Sequence, residues 1–139
     1  MDRPARHGCL GGRGRCLDLS AVQHPVAVAR HFAEEVLASW GVGGAVREDI
    51  VLVVSELVAN ARLHTRGPRR VSLTARGGSV RIEVTDGSPV RPVQRPTSPG
   101  RPGGYGLFVV EELSTRWGAD VGRAGKAVWA EFSVPGARD

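Results

Sequence analysis

A carboxylate and a carboxamide sit four residues apart in the stretch AVREDIVLVVSELVANARLHT, as Glu56 and Asn60. Around them Ile50, Val53, Val54, Leu57, Val58 and Ala61 recur at helical spacing, with one face turned to a core. At about 100° per residue, the two polar groups project beside Val53, at the margin of the apolar arc. Docking of that face strips water from both, and a polar group buried alone costs roughly 1–3 kcal/mol. Each therefore needs a partner. A carboxylate is an acid–base group, and an amide offers both a donor and an acceptor. One reading gives Glu56 a neighbouring arginine and Asn60 a backbone group; the other gives both to a ligand. Two further stretches could carry chemistry. Asp86-Gly87-Ser88-Pro89 ends an alternating run, and Gly103-Gly104-Tyr105-Gly106 leads from a long irregular segment into an apolar one. Taken singly, an Asp-Gly after a strand is a common turn, and a glycine run before a helix can be only a tight connection.

The elements that must position these groups follow in order. Residues 1–15, rich in Gly and Arg and without periodicity, read as a flexible tail, and 16–135 as a single domain. CLDLSAV, from Cys16 to Val22, alternates like an edge strand. Pro25 opens a helix with apolar positions at Val28, Phe32, Val36 and Leu37, and Gly41 is its stop signal. GVGGA leads into the helix of Glu56 and Asn60, which ends near Thr65. RRVSLTARG and SVRIEVTDG alternate on either side of Gly77-Gly78, a hairpin signal. Val71, Leu73 and Ala75 share one face, as do Val80, Ile82 and Val84, and Asp86 falls at the strand end. Residues from about 88 to 104 carry too much Pro and Gly for regular structure, and a loop of that length in a small domain is usually functional. GLFVVEELS then reads as a short helix using Leu107, Val110 and Leu113. Asp120–Arg123 and Lys126–Val134 form a second hairpin about Ala124-Gly125. Strands segregated from helices in this way predict an α+β fold, a two-layer α/β sandwich with helices on one face of a mostly antiparallel mixed sheet.

At 139 residues the chain is large enough for one real core. A hydrophobic content of 41% with only 5% aromatics means a core of Val, Leu, Ile and Ala. No apolar run approaches the roughly 20 residues of a membrane span, and no signal peptide is visible, so the expectation is a cytoplasmic protein without a membrane partner. A net charge of +5 raises nucleic acid as a partner. Against it, Lys126 is the only lysine and the arginines are scattered, without interleaved aromatics. Nucleic-acid binding is not expected. Cys9 and Cys16 lack the further ligands of a zinc site and are expected as reduced thiols.

In their order and spacing, ELVANARLHT, DGSPVRP and GGYGLFVVEEL resemble the GHKL family of ATPases, whose fold is shared by gyrase-type proteins and histidine kinase catalytic domains. Within it they look most like bacterial anti-sigma factors that are also serine/threonine kinases, and KAVWAEF is similar to that group's last strand. The resemblance spans about Leu17 to Val134. It implies ATP and Mg²⁺ as cofactors, with Asn60 giving a side-chain oxygen to the metal. Glu56 would be the catalytic residue, orienting or deprotonating the attacking hydroxyl. Asp86 would accept a hydrogen bond from the adenine amino group, with Gly87 allowing close approach and Ser88 beside it. Gly103, Gly104, Tyr105, Gly106 and Leu107 would bring backbone N–H groups to the phosphates at a helix N-terminus, beneath a lid of about 88–104. Lid arginines Arg91, Arg95 and Arg101 could reach phosphate or simply stay in solvent. No Walker P-loop is present.

The implied activity is phosphorylation of an anti-anti-sigma antagonist, with a sigma factor sequestered as partner and a homodimer possible. A non-catalytic, nucleotide-gated binding module is the alternative, as is a stand-alone histidine-kinase-like ATPase domain, although no phosphoacceptor helix is found. His64 falls in the apolar arc of its helix and is expected as a packed core histidine. Lys126 could sit near the nucleotide. Ala127 stands where relatives usually carry a hydroxyl, which would remove a water-mediated contact to adenine. Trp117 and Trp129 are expected as core or edge-packing residues.

Overall fold

A computed structural model describes residues 6–8, 14–92 and 106–135. Six strands and three helices follow in the order β1 (Arg6–Gly8), β2 (Gly14–Asp18), α1 (Pro25–Ser39), α2 (Gly44–His64), β3 (Pro68–Arg76), β4 (Ser79–Asp86), α3 (Gly106–Leu113), β5 (Arg116–Gly122) and β6 (Gly125–Ser133). The strands form one sheet in the order β1-β2-β3-β4-β6-β5, and every neighbouring pair is antiparallel. Among the described residues no strands pair in parallel, where a mostly antiparallel mixed sheet was expected. Alternation works on each central strand: Val71, Leu73 and Ala75 of β3, Val80, Ile82 and Val84 of β4, and Val128, Ala130 and Phe132 of β6 are buried. Against them pack Phe32, Val36 and Leu37 of α1, Ile50, Val53, Val54, Leu57 and Val58 of α2, and Val110 of α3. The result is the two-layer α+β sandwich.

Local chemistry explains the boundaries. Pro25 occupies the first turn of α1, where a missing N–H is no loss, and Gly41 leaves the helix at φ +74°, a conformation that favours glycine. Gly77 and Gly78, at φ +57° and +78°, turn β3 into β4.

Four expectations change. The strand expected at the edge, β2, is flanked on both sides, because Arg6–Gly8 in the segment read as a tail folds back onto it, with His7 opposite Cys16. Cys16 is buried and disulfide-bonded, not a reduced thiol; Cys9 lies outside the described residues. His64 is exposed, not packed in the core: Ala61 is the last buried residue of α2, and Arg62, Leu63 and His64 after it are all exposed. β5 begins at Arg116, four residues before the expected strand.

Candidate functional site

The residues expected at the site lie on α2 and on two elements that α2 contacts, β4 and α3. α2 runs across the sheet in contact with β3, β4 and β6 and packs along α3. Glu56 and Asn60 therefore lie on the helix that touches both the strand of Asp86 and the helix opened by Gly106 and Leu107. Both side chains are half-buried. Among the described residues neither makes a hydrogen bond or an ion pair, so the arginine and backbone partners of the non-functional reading are not found. Burial pushes the Glu56 carboxyl above the ordinary glutamate value. Ser55, beside it, is accounted for by a 3.0 Å bond to the carbonyl of Val51.

Asp86 is placed by the alternation of β4, which continues Val80, Ile82 and Val84 with a carboxylate on the buried face. It is 3% exposed. Opposite it in register stands Lys126, the second residue of β6, also buried. Lys126 Nζ donates to Asp86 Oδ1 at 3.0 Å, and the backbone N–H of Ser88 donates to the same oxygen at 2.8 Å. The second bond is an Asx turn that fixes the first residues after the strand. Asp86 Oδ2 has no partner among the described residues. On the open sheet face, around Thr85, Ala127, Asp120 and the β5–β6 turn, lies a wide, shallow concavity of about 560 Å³ whose lining also includes Asp86 and Lys126.

Two glycines shape this end of the sheet. A Cβ on Gly125, whose φ is +145°, would stand 2.0 Å from the carbonyl oxygen of Asp86, so only glycine lets β6 begin this close to β4. A Cβ on Gly87 would meet the Arg69 guanidinium at 2.7 Å, and Arg69 itself donates to the carbonyl of Ala124. The space above Gly87 is thus occupied by an arginine that braces the β5–β6 turn.

Of the residues expected at the site, Glu56 and Asn60 share a helix face, and Asp86 and Ser88 are joined by a hydrogen bond. Gly106 begins α3, and Leu107 is buried. Neither Glu56 nor Asn60 lines the concavity at Asp86. Gly103, Gly104, Tyr105, Arg95 and Arg101 lie outside the described residues. Arg91 donates to the carbonyl of Ala119 on β5. Trp117 packs against the core, while Trp129 lies on the open sheet face under Arg81, whose guanidinium is 4.3 Å from the ring centre. Lys126 is the residue whose place was least visible beforehand. The signal was present in the alternation of KAVWAEF, which puts Lys126 on the same face as Val128 and Ala130.

No helix among the described residues is long and apolar enough to cross a membrane. No curated protein matches the chain. A family model described as a histidine kinase-like ATPase domain matches residues 19–132, from the end of β2 to the last turn of alternation in β6. The helix with its paired Glu and Asn, the strand-terminal Asp and the glycine at the start of α3 all fall within the matched span, and the chain belongs to the histidine kinase-like ATPase domain family.

Proposed function

We propose that this protein is an ATP·Mg-dependent serine/threonine protein kinase that phosphorylates an anti-anti-sigma antagonist and, as an anti-sigma factor, sequesters a sigma factor. One observation carries the catalytic part. Glu56 and Asn60, one helical turn apart and half-buried, have no protein partner among the described residues on a helix that packs against both β4 and α3. Groups so placed are left to water or to a ligand, and a ligand that satisfies both at once is favoured.

In this reading Asn60 would hold Mg²⁺ through its amide oxygen, and a preformed cluster of acidic ligands would not be needed. Bound Mg·ATP supplies the phosphoryl group and neutralises its charge. Glu56 accepts the proton of a serine or threonine hydroxyl as that oxygen bonds to the γ-phosphorus and the bond to the β,γ-bridging oxygen breaks, leaving ADP. Its raised pKa suits it to that task, because a base works best when its pKa approaches the working pH. Asp86 Oδ2 takes the adenine amino group. The anti-sigma assignment rests on the resemblance of ELVANARLHT, DGSPVRP and GGYGLFVVEEL to that branch.

Thermal melting with and without Mg·ATP, with Mg·GTP as control, tests the nucleotide, since a ligand bound to the folded state raises the melting temperature. Incubation with labelled ATP and a candidate antagonist then separates a kinase from a nucleotide-gated binding module. Label on a serine or threonine supports the kinase; binding without transfer removes it.

A further inference from the structure

Among the described residues β5 ends the sheet: β6 pairs with it on one side and no strand lies on the other. The hairpin decides which of its backbone groups are used. Gly122 stands opposite Gly125 across the loop of Arg123 and Ala124, and a two-residue loop closes on a pair that exchanges both hydrogen bonds. Counting back by twos along the unbroken register, Gly122, Asp120, Gly118 and Arg116 turn their N–H and C=O groups to β6. Those of Trp117, Ala119 and Val121 therefore point outward. In keeping with this, the Ala119 carbonyl accepts from the Arg91 guanidinium at 3.4 Å, a group outside the hairpin. Between Arg116 and Gly122 no proline, lysine or register shift guards this edge against a further strand.

We propose that β5 is the contact surface for a second copy of this chain, pairing antiparallel with its own counterpart about a two-fold axis at Ala119, so that two sheets join into one. With Ala119 facing itself, Trp117 of one copy faces Val121 of the other. All three outward residues then find partners, about six hydrogen bonds in all. An axis at Gly118 would carry Val121 past the start of the other strand, and an axis at Asp120 would set two carboxylates face to face. The side chains agree with Ala119. Trp117 and Val121 both lie on the helix-covered face, where Val121 is exposed in the single chain and gains an apolar neighbour. On the open face Gly118 of one copy meets Asp120 of the other without bulk to collide. Arg116 lies diagonally beside that Asp120, and their side chains are 67% and 74% exposed, within reach of such a contact. A carbonyl oxygen has two lone pairs, so Ala119 takes the new N–H without losing Arg91. None of this depends on the nucleotide reading.

Sedimentation equilibrium of the full chain reads the association, and amide hydrogen exchange reads where it occurs. The wild type is expected to dimerise in the micromolar range, as a small interface does. As concentration rises, exchange should slow at the amides of Trp117, Ala119 and Val121, while those of Gly118 and Asp120, already held by β6, stay as they were. Ala119→Pro removes an N–H that points away from β6, and proline is tolerated at a sheet edge. It is expected to weaken association by about a hundredfold, because symmetry removes two hydrogen bonds at once, with the circular dichroism of the dilute protein unchanged. Val121→Pro takes its place if that variant does not fold. A chain still monomeric at about 1 mM overturns the proposal. So does a dimer that the proline leaves intact, or one in which the three outward amides exchange as fast as in the single chain.

Discussion

Asp86 and Lys126 face each other across the last rung between β4 and β6, with Nζ 3.0 Å from Oδ1 and both side chains almost wholly out of solvent. Two opposite charges so enclosed are each other's condition for burial. Asp86→Ala leaves the ammonium without its counter-charge and is expected to cost about 3–5 kcal/mol, the usual penalty for breaking one side of a buried pair. The double variant Asp86→Ala/Lys126→Met is expected to recover most of that loss. Urea denaturation of the four proteins gives the coupling directly, and a double variant no more stable than Asp86→Ala would show that the pair is not coupled.

In the proposed reaction Glu56 would link acidity to transfer. Its carboxyl is held above the ordinary value by burial, so the basic form appears at higher pH than for an exposed glutamate, and phosphoryl transfer should rise with pH through that raised value. Glu56→Ala is expected to slow transfer by about 10²–10⁴-fold while the melting shift with Mg·ATP persists. The same group acts on stability with the opposite sense. Because the folded state holds the proton more tightly, stability falls as pH rises from the ordinary glutamate range through the folded value, and Glu56→Gln should abolish that decline. Melting temperature against pH for both proteins checks it.

Asn60 is the proposed metal ligand, and its removal should separate magnesium from nucleotide. With ligand at about 100 times Kd, binding stabilises the folded state by about 2.7 kcal/mol. Asn60→Ala is expected to lose most of the melting shift seen with Mg·ATP, and to show no difference between Mg²⁺ and a chelator. A full shift in the variant would place the metal elsewhere.

The open sheet face has its own pH signature. Glu131 is held below the ordinary glutamate value, chiefly by hydrogen bonds from Arg116 and further by those from Arg81. A depressed folded pKa contributes stability above the unfolded value and loses it as pH falls through the folded one. Glu131→Gln should therefore melt below the wild type at neutral pH, and the two curves should converge in acid. A gap that persists in acid would assign the effect to packing against Trp129 instead.

How much was legible in the sequence depended on the range of the interaction. The β3–β4 hairpin and α2 were readable because each is written locally, one in alternation about Gly77-Gly78 and the other in the spacing of Ile50, Val53, Val54, Leu57 and Val58. Asp86 at a strand end followed from the same alternation. His64 was misplaced by extending that spacing one turn beyond Ala61, where the burial of α2 ends. β1 was invisible because three residues carry no period, and its pairing with β2 is a tertiary fact. The contact of Lys126 with Asp86 spans 40 residues of chain, and only the register of β4 against β6 brings it about. The glycine at 125 looked like a turn residue, yet its necessity lies in the carbonyl of Asp86 that its missing Cβ would strike.

A single oxygen atom, Oδ1 of Asp86, is the common fastening of the segment that leaves β4 and of the strand that returns beside it. Loss of the ammonium at 126 should consequently loosen the turn at 88, and only a proline at 88, which has no N–H to give, should loosen the ion pair in return.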